Sequence, residues 1–251
     1  MRPVVIKIGT GVLTRECDGV LDRKSLTRLV TAVADLIESG QPCILVSSGA
    51  VGAGVSKLRL SEYPSDIEGR QVCAAIGQSS LMHNYESLFS NYGLNIAQIL
   101  LTSEDLDRSD RLDRLDNVFT RFSNYGHIVP IINENDVISV EGISFGDNDM
   151  LAARVAGLID AKLLVLFSNI DGLLLPDSNE VISEVRDIND VTQYIRSDKG
   201  KFSIGGMESK LKAVAVATSQ GVPTVIAHGR QPQRLEEIVK GGGICTRFHV
   251  D

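Results

Sequence analysis

The chain has 251 residues, 43% of them hydrophobic and 5% aromatic, and carries a formal net charge of −7. That is enough to bury a sizeable core, as one large domain or two intimate lobes. The acidic balance argues against a nucleic-acid-binding surface as the main purpose. No apolar run approaches the ~18 residues of a membrane span.

Cys17, Cys43, Cys73 and Cys245 are far apart, without a C-x-x-C pair. This reads as a reduced protein rather than a disulfide framework or a zinc site. The histidines His83, His127, His228 and His249 show no metal-ligand spacing. The opening M-R-P-V-V-I-K has no signal-peptide apolar region, so a soluble cytoplasmic protein is the expectation.

In chain order, Pro3–Ile8 is an apolar run broken only by Lys7 and followed by Gly9-Thr10-Gly11. A strand, a Gly-rich turn and a strand-end lysine suggest a phosphate site, although a first strand with a tight turn and a solvated lysine has the same signature. Neither the Walker A spacing nor the Rossmann glycine fingerprint is present. Ser25–Ser39 places Leu26, Leu29, Val30, Val33, Leu36 and Ile37 on one helical face, and Gly40 is a natural stop. Ile44–Val46 is the next buried strand, and it breaks into Ser47-Ser48-Gly49-Ala50-Val51-Gly52-Ala53-Gly54. Such small residues either let a backbone approach a ligand with its N–H groups or let a helix pack close to the sheet.

Gln71–Phe89 reads as a helix and Leu94–Leu101 as a strand. Ser103–Asp116 reads as a charge-laced exposed helix, with Asp107/Arg111 and Asp110/Arg114 at i,i+4 spacing and an apolar stripe of Leu112, Leu115, Phe119 and Phe122. No site is assigned there. Val129–Ile132 is a buried-strand pattern that gives way to Asn133-Glu134-Asn135-Asp136. Gly146-Asp147-Asn148-Asp149 then leads into Leu151, Ala152, Val155, Ala156 and Ile159 at helical spacing. A turn would explain the first cluster alone and an N-cap part of the second. One polar cluster at a strand end and another at a nearby helix start favour the ligand crevice of an open α/β sheet, where a helix N-terminus offers free N–H groups.

Lys162–Phe167 is a central strand pattern ending in Ser168-Asn169. Asp177–Asp198 is polar and reads as a peripheral lobe. Gly205-Gly206-Met207-Glu208-Ser209-Lys210 precedes a helix from Leu211 to Gln220, in kind a phosphate cradle. Val222–Ala227 reads as a strand, Gln233–Val239 as a short helix and Gly243–Phe248 as a closing strand.

The runs N-E-N-D and G-D-N-D resemble the glutamate 5-kinases of the amino-acid kinase family. So do V-V-I-K-I-G-T-G-V-L, S-S-G-A-V-G-A-G and G-G-M-E-S-K, and together the motifs cover essentially the whole chain. The resemblance implies a three-layer α/β/α sandwich with a mostly parallel central sheet. It implies a single domain over residues 1–251, with an acceptor-binding part to about residue 160 and a nucleotide-binding part beyond it. The implied reaction is ATP-dependent phosphorylation of the L-glutamate side-chain carboxylate, the first step towards proline, with Mg²⁺ held mainly through the ATP phosphates and no metal ligand from the protein.

Carried over residue by residue, the resemblance makes Lys7, Lys210 and Asp149 catalytic. It places Lys7, Ser168, Asn169, Gly205, Gly206, Met207 and Lys210 on ATP. Ser48, Gly49, Ala50, Asn133, Asp136, Asp147 and Asn148 fall on the amino acid, and the run Ala74-Ala75-Ile76-Gly77-Gln78 near the substrate and a dimer contact. Where the family often has Thr-Asp, this chain has Ser168-Asn169, which keeps a hydroxyl and turns a carboxylate into an amide. The resemblance also implies a homo-oligomer, dimer or tetramer, and proline as a feedback inhibitor. It leaves no room for the RNA-binding-type C-terminal domain of many members.

Two other readings stay open. One is a family member acting on aspartate, N-acetylglutamate, carbamate or UMP, and the other a catalytically silent amino-acid-binding regulator. Asp136 argues against an N-acylated acceptor, since a free ammonium wants a carboxylate partner. Lys7 and Lys210 argue against a silent protein.

Overall fold

The computed structural model describes residues 1–15, 20–139, 148–175, 178, 180–191 and 206–250. In chain order the elements are β1 (Val4–Ile8), α1 (Thr10–Leu13), α2 (Arg23–Glu38), β2 (Cys43–Val46), α3 (Ala50–Leu58), α4 (Ile67–Phe89) and β3 (Asn95–Leu101). There follow α5 (Ser103–Asp107), α6 (Ser109–Ser123), β4 (Ile128–Glu134), α7 (Asn148–Leu158) and β5 (Leu163–Ser168). The chain closes with β6 (Glu184–Val185), α8 (Met207–Ser219), β7 (Thr224–His228), α9 (Leu235–Val239) and β8 (Thr246–Phe248).

The strands form one eight-stranded sheet in the order β3-β4-β2-β1-β5-β7-β8-β6. Every pairing is parallel except β7 with β8. β1 is fully buried and paired on both edges, which is why it reads as an almost unbroken apolar run. Its side chains alternate between two cores, as strand geometry requires. Val4, Ile6 and Ile8 enter a core with Leu26, Leu29 and Val33 of α2, Leu81 and Tyr85 of α4 and Leu235 of α9. Val5 enters the opposite core, with Leu151 and Val155 of α7, Leu211 and Val214 of α8 and Phe119 of α6. Helices therefore cover both faces, and the molecule is the expected three-layer sandwich with a mostly parallel sheet.

From β1 the chain turns towards β2 on one side, while β5 and β7 lie on the other. The strand order reverses between β1 and β5, so the carboxyl ends of these strands open the ligand crevice of a doubly wound sheet. Lys7 has the parity of Val5. That alternation sends its side chain towards the face on which α7 and α8 pack.

The structure corrects several expected boundaries. β4 runs on through Asn133 and Glu134, because β3 continues to pair with it as far as Leu101 opposite Glu134. α4 begins at Ile67, where the Asp66 carboxylate accepts from the Gly69 N–H as an N-cap. The stretch Ser103–Asp116 is not one helix. Arg108 is extended (φ −103°, ψ 116°) and separates α5, closed at its start by a reciprocal Thr102–Asp105 capping box, from α6. The break puts Asp107 and Arg111 in different helices, and the ion pairs that form are others: Arg111 bonds Asp105, Asp107 bonds Arg154 of α7, and Asp110 bonds Arg108. The described part of Asp177–Asp198 is peripheral: it supplies β6 at an edge of the same sheet and anchors it by burying Val185 and Val191 in the common core. The closing strand is confined to Thr246–Phe248.

Two glycines set how close α3 and α4 lie. A Cβ on Gly54 would sit 1.9 Å from the Cys73 carbonyl oxygen, and one on Gly77 would sit 1.8 Å from that of Ala50. At these two positions the small residue serves helix packing.

Candidate active site

The centre of the site is a buried carboxylate held by two ammonium groups. Asp149, in the first turn of α7, is 1% exposed. Lys7 Nζ, at the end of β1, lies 2.7 Å from its Oδ1 in an ion pair. Lys210 Nζ, in the first turn of α8, donates to its Oδ2 at 3.0 Å. Sheet parity delivers Lys7 and the two helix starts deliver Asp149 and Lys210, so residues far apart in sequence meet above the crevice. Taken alone the three side chains carry one net positive charge in a place sealed from water, where an arriving anion is attracted far more strongly than at the surface.

Backbone surrounds the lysines. A Cβ on Gly9 would come 3.4 Å from Lys7 Nζ, and the Gly206 carbonyl, at the cap of α8, lies 3.5 Å from Lys210 Nζ. Met207 opens that helix, half-buried. Ser168 ends β5 and Asn169 follows it, beside the turn that follows β1. A Cβ on Gly11 would sit 2.7 Å from Asn169 Nδ2. Arg230, just past β7, donates to the Gly11 carbonyl at 3.2 Å, and Gly229 N–H donates to the Ser168 carbonyl at 2.8 Å. The reading of the sequence missed Gly229-Arg230. Its signal was the position just past the apolar run of β7, the same place that Ser168-Asn169 holds after β5.

On the other side of the crevice lies a relay of side-chain amides. Asn148 Nδ2 is 2.9 Å from the Ser47 carbonyl, 2.7 Å from Ser48 Oγ and 3.1 Å from Asn133 Oδ1. Asn133 Oδ1 also accepts from the Glu134 N–H at 2.9 Å, while Asn133 Nδ2 donates to Gln78 Oε1 at 2.8 Å. Ser47 Oγ is fixed by the Tyr85 hydroxyl at 2.9 Å. Gly49, at φ 98°, turns the chain from β2 into α3, a left-handed conformation that suits glycine, and Ala50 follows as the first helical residue. Among the described residues two buried atoms of the relay have no partner, Asn148 Oδ1 and Gln78 Nε2. Buried polar atoms are rarely left in this state.

Asp136 is half-buried just past β4. Burial, and then the neighbouring Glu134 carboxylate, push its carboxyl up to about 6. It lines a cavity of about 590 Å³ together with Gln78, Ser79, His83, Glu134 and Asn135. Neither lysine lines this cavity. The structure thus brings Lys7, Asp149 and Lys210 together, groups Ser48 and Asn133 around Asn148, and sets Asp136 on the cavity that Gln78 also lines. Asp147 and Gly205 lie outside the described residues. Among the described residues no group of three or more His, Cys, Asp or Glu side chains could hold a metal ion, and no helix is long and apolar enough to cross a membrane.

A doubly wound sandwich with buried lysines above its switch point defines a phosphotransferase class of α/β enzyme. The chain belongs to the amino acid kinase family, which its sequence matches over residues 2–228. It is 43% identical to the glutamate 5-kinase of Clostridium acetobutylicum, over 98% of this chain and 93% of that one. It is 42% identical to the glutamate 5-kinase of Carboxydothermus hydrogenoformans, over 99% of this chain and 68% of that one. Among solved structures the fold is similar to that of a carbamate kinase from Giardia lamblia bound to AMP-PNP, with a TM-score of 0.69 at 15% identity, covering 100% of this chain and 99% of that one.

Proposed function

We propose that this enzyme is an ATP-dependent glutamate 5-kinase, forming γ-glutamyl phosphate as the first step towards proline. The observation that carries the reading is the Lys7–Asp149–Lys210 cluster set beside the Asn148 relay, in a chain so similar to two glutamate 5-kinases. An oxygen of the acceptor's side-chain carboxylate attacks the γ-phosphorus of ATP. A new O–P bond forms, the bond from phosphorus to the bridging oxygen breaks, and ADP leaves with that electron pair. The nucleophile is already an anion, so no general base is needed. The obstacle is bringing two anions together, and positioning plus positive charge overcomes it.

Lys7 and Lys210 neutralise the transferring group, and Asp149 holds their ammonium groups in place. Gly205, Gly206 and Met207 offer backbone to the phosphates, and Ser168 and Asn169 take the nucleotide. The unpartnered Asn148 Oδ1 and the Asp136 carboxylate accept from the substrate ammonium. Ser48, Gly49, Ala50, Asn133 and Asp147 complete the amino-acid site. Both oxygens of Asp149 face lysines, so this carboxylate is poorly suited to a divalent cation. Mg²⁺ would instead be held through the ATP phosphates, where it would supply charge neutralisation. On this layout residues up to about 160 bind the acceptor and the remainder bind the nucleotide. The resemblance further supports a cytoplasmic homo-oligomer that proline inhibits.

Mg²⁺-ATP and L-glutamate with hydroxylamine as trap test the reading. Glutamate-dependent ADP release with a matching yield of γ-hydroxamate is expected. ADP release that ignores glutamate would overturn it.

A further inference from the structure

The orphaned donor on Gln78 is fixed by its neighbours. A backbone N–H can only donate, so the Glu134 N–H identifies its partner, Asn133 Oδ1, as an oxygen. The other end of that amide, Asn133 Nδ2, is then a donor, and the Gln78 atom 2.8 Å away is an acceptor, Oε1. What remains on Gln78 is an NH₂ group. The same logic runs the other way through Asn148. Its nitrogen faces the Ser47 carbonyl, which can only accept, so its leftover atom is an oxygen. One connected relay therefore ends in a buried donor on Gln78 and a buried acceptor on Asn148, both without partners among the described residues. Gln78 is 9% exposed and lines the cavity that holds Asp136 and Glu134.

A buried N–H without a partner is costly, and an anionic acceptor is its strongest complement. None of the cavity's own carboxylates, Glu86, Glu134 and Asp136, bonds Gln78 Nε2, and Glu134 Oε1 accepts from Ser139 Oγ at 2.8 Å. The donor itself is buried, on a residue that lines the cavity. A free amino acid with a side-chain carboxylate brings two anionic ends. The reacting one must lie by Lys7 and Lys210, which do not line this cavity.

We infer that Gln78 is a specificity-determining residue whose side-chain amide binds the α-carboxylate of the acceptor, the end that does not react. This rests on the proposed kinase reading. Asn133 and Asn148 act as its frame, since their hydrogen bonds set which way the Gln78 amide faces.

Gln78→Glu keeps the Oε1 that accepts from Asn133 and replaces only the donor. At pH 8, the KM for L-glutamate should rise at least about tenfold while the KM for ATP stays within about twofold, since the lost bond is made to a charged group. Gln78→Met, which removes the donor without adding charge, should move KM in the same direction. L-Glutamate α-amide, scored as substrate or as competitive inhibitor, separates recognition from structure. Its affinity should change less than about threefold in Gln78→Glu, because it lacks the α-carboxylate.

A KM for L-glutamate within about threefold of wild type in both variants would overturn the inference. So would an equal loss of affinity for glutamate and its α-amide. Wild-type enzyme that does not phosphorylate glutamate would instead remove the kinase reading. In that case calorimetric binding of L-glutamate, with and without the substitution, decides the Gln78 contact: equal affinities sink it, and weaker binding to the variant sustains it.

Discussion

Lys210 donates to Asp149 Oδ2 at 3.0 Å, and their side chains are only 11% and 2% exposed. With Lys7 on the other oxygen, Asp149 is what allows two ammonium groups to share a dry site. Asp149→Asn should therefore destabilise the protein by about 3–5 kcal/mol, the cost of leaving buried charge uncompensated. Urea unfolding of the purified variant checks this. A midpoint equal to wild type would show that the lysines do not need the carboxylate.

On the proposed mechanism, removing either lysine acts on the reaction. Lys7→Ala and Lys210→Ala should each lower kcat by roughly 10²-fold or more, the usual consequence of losing one electrostatic contact to developing charge. Steady-state kinetics at saturating glutamate and ATP measure it. A kcat within about twofold of wild type for both variants would contradict their assignment.

Asp136 supplies a pH signature. Its folded value, about 6, lies above the ordinary 3.8. Its ionisation therefore costs stability that is absent below pH 3.8 and fully present above about pH 6. Asp136→Asn should stabilise the free protein at pH 8 by about 1–3 kcal/mol, and the gain should vanish as pH falls towards 4. Function should change in the opposite sense. Only the ionised carboxylate holds an ammonium, so the wild-type KM for L-glutamate should rise as pH falls below about 6. The variant should lose that limb and show a raised glutamate KM with little change for ATP. A rise confined to ATP would place Asp136 on the nucleotide side.

Substrate choice follows from the same groups. An acyl group on the amino acid's nitrogen removes the ammonium and strands the Asp136 carboxylate, at a cost of about 2–5 kcal/mol. A side chain shorter by one methylene misplaces the attacking oxygen by on the order of 1 Å, which can cost about 10²-fold. ADP release should be fastest with L-glutamate, at least about tenfold slower with L-aspartate, and negligible with N-acetyl-L-glutamate or UMP. An equal-concentration panel decides it.

Gly54→Ala tests the close approach of α3 and α4. The added methyl would sit 1.9 Å from backbone at Cys73, and backbone cannot rotate aside as a side chain can. Destabilisation of about 2–4 kcal/mol is expected, at or somewhat above the usual cost of overpacking. Because α3 starts beside Ser48 and α4 carries Gln78, the glutamate KM should rise as well. A thermal midpoint unchanged from wild type would show that the helices can part freely.

The layers were legible because each strand and helix stated its burial in its own residues. β1 announced two-sided burial with one lysine out of keeping, and Asn148-Asp149 announced a helix start with more polar groups than a cap requires. The break at Arg108 was hidden, since Ser103–Asp116 is helical in composition on both sides of it. The chain divides at the extended Arg108, beside which Arg154 of α7 holds Asp107, the last residue of α5. Partnerships across the fold were hidden for another reason. Neither Gln78 nor Asn133 carries any mark of the other, and only the packing of α4 over β4 lets their amides meet.

The place of β1 has a consequence for how the enzyme comes to life. Its register is fixed on one edge by β2, close behind it in the chain, and on the other by β5, which is made more than half a chain later. Until both edges are paired, the parity that turns Lys7 towards Asp149 is not secured, since a slip of one residue would exchange Lys7 for an isoleucine. Pairings so distant in sequence form slowly, because a long loop must close before any contact rewards it. During refolding, turnover should therefore reappear only with the slowest step that consolidates the sheet, well after helical signal has returned.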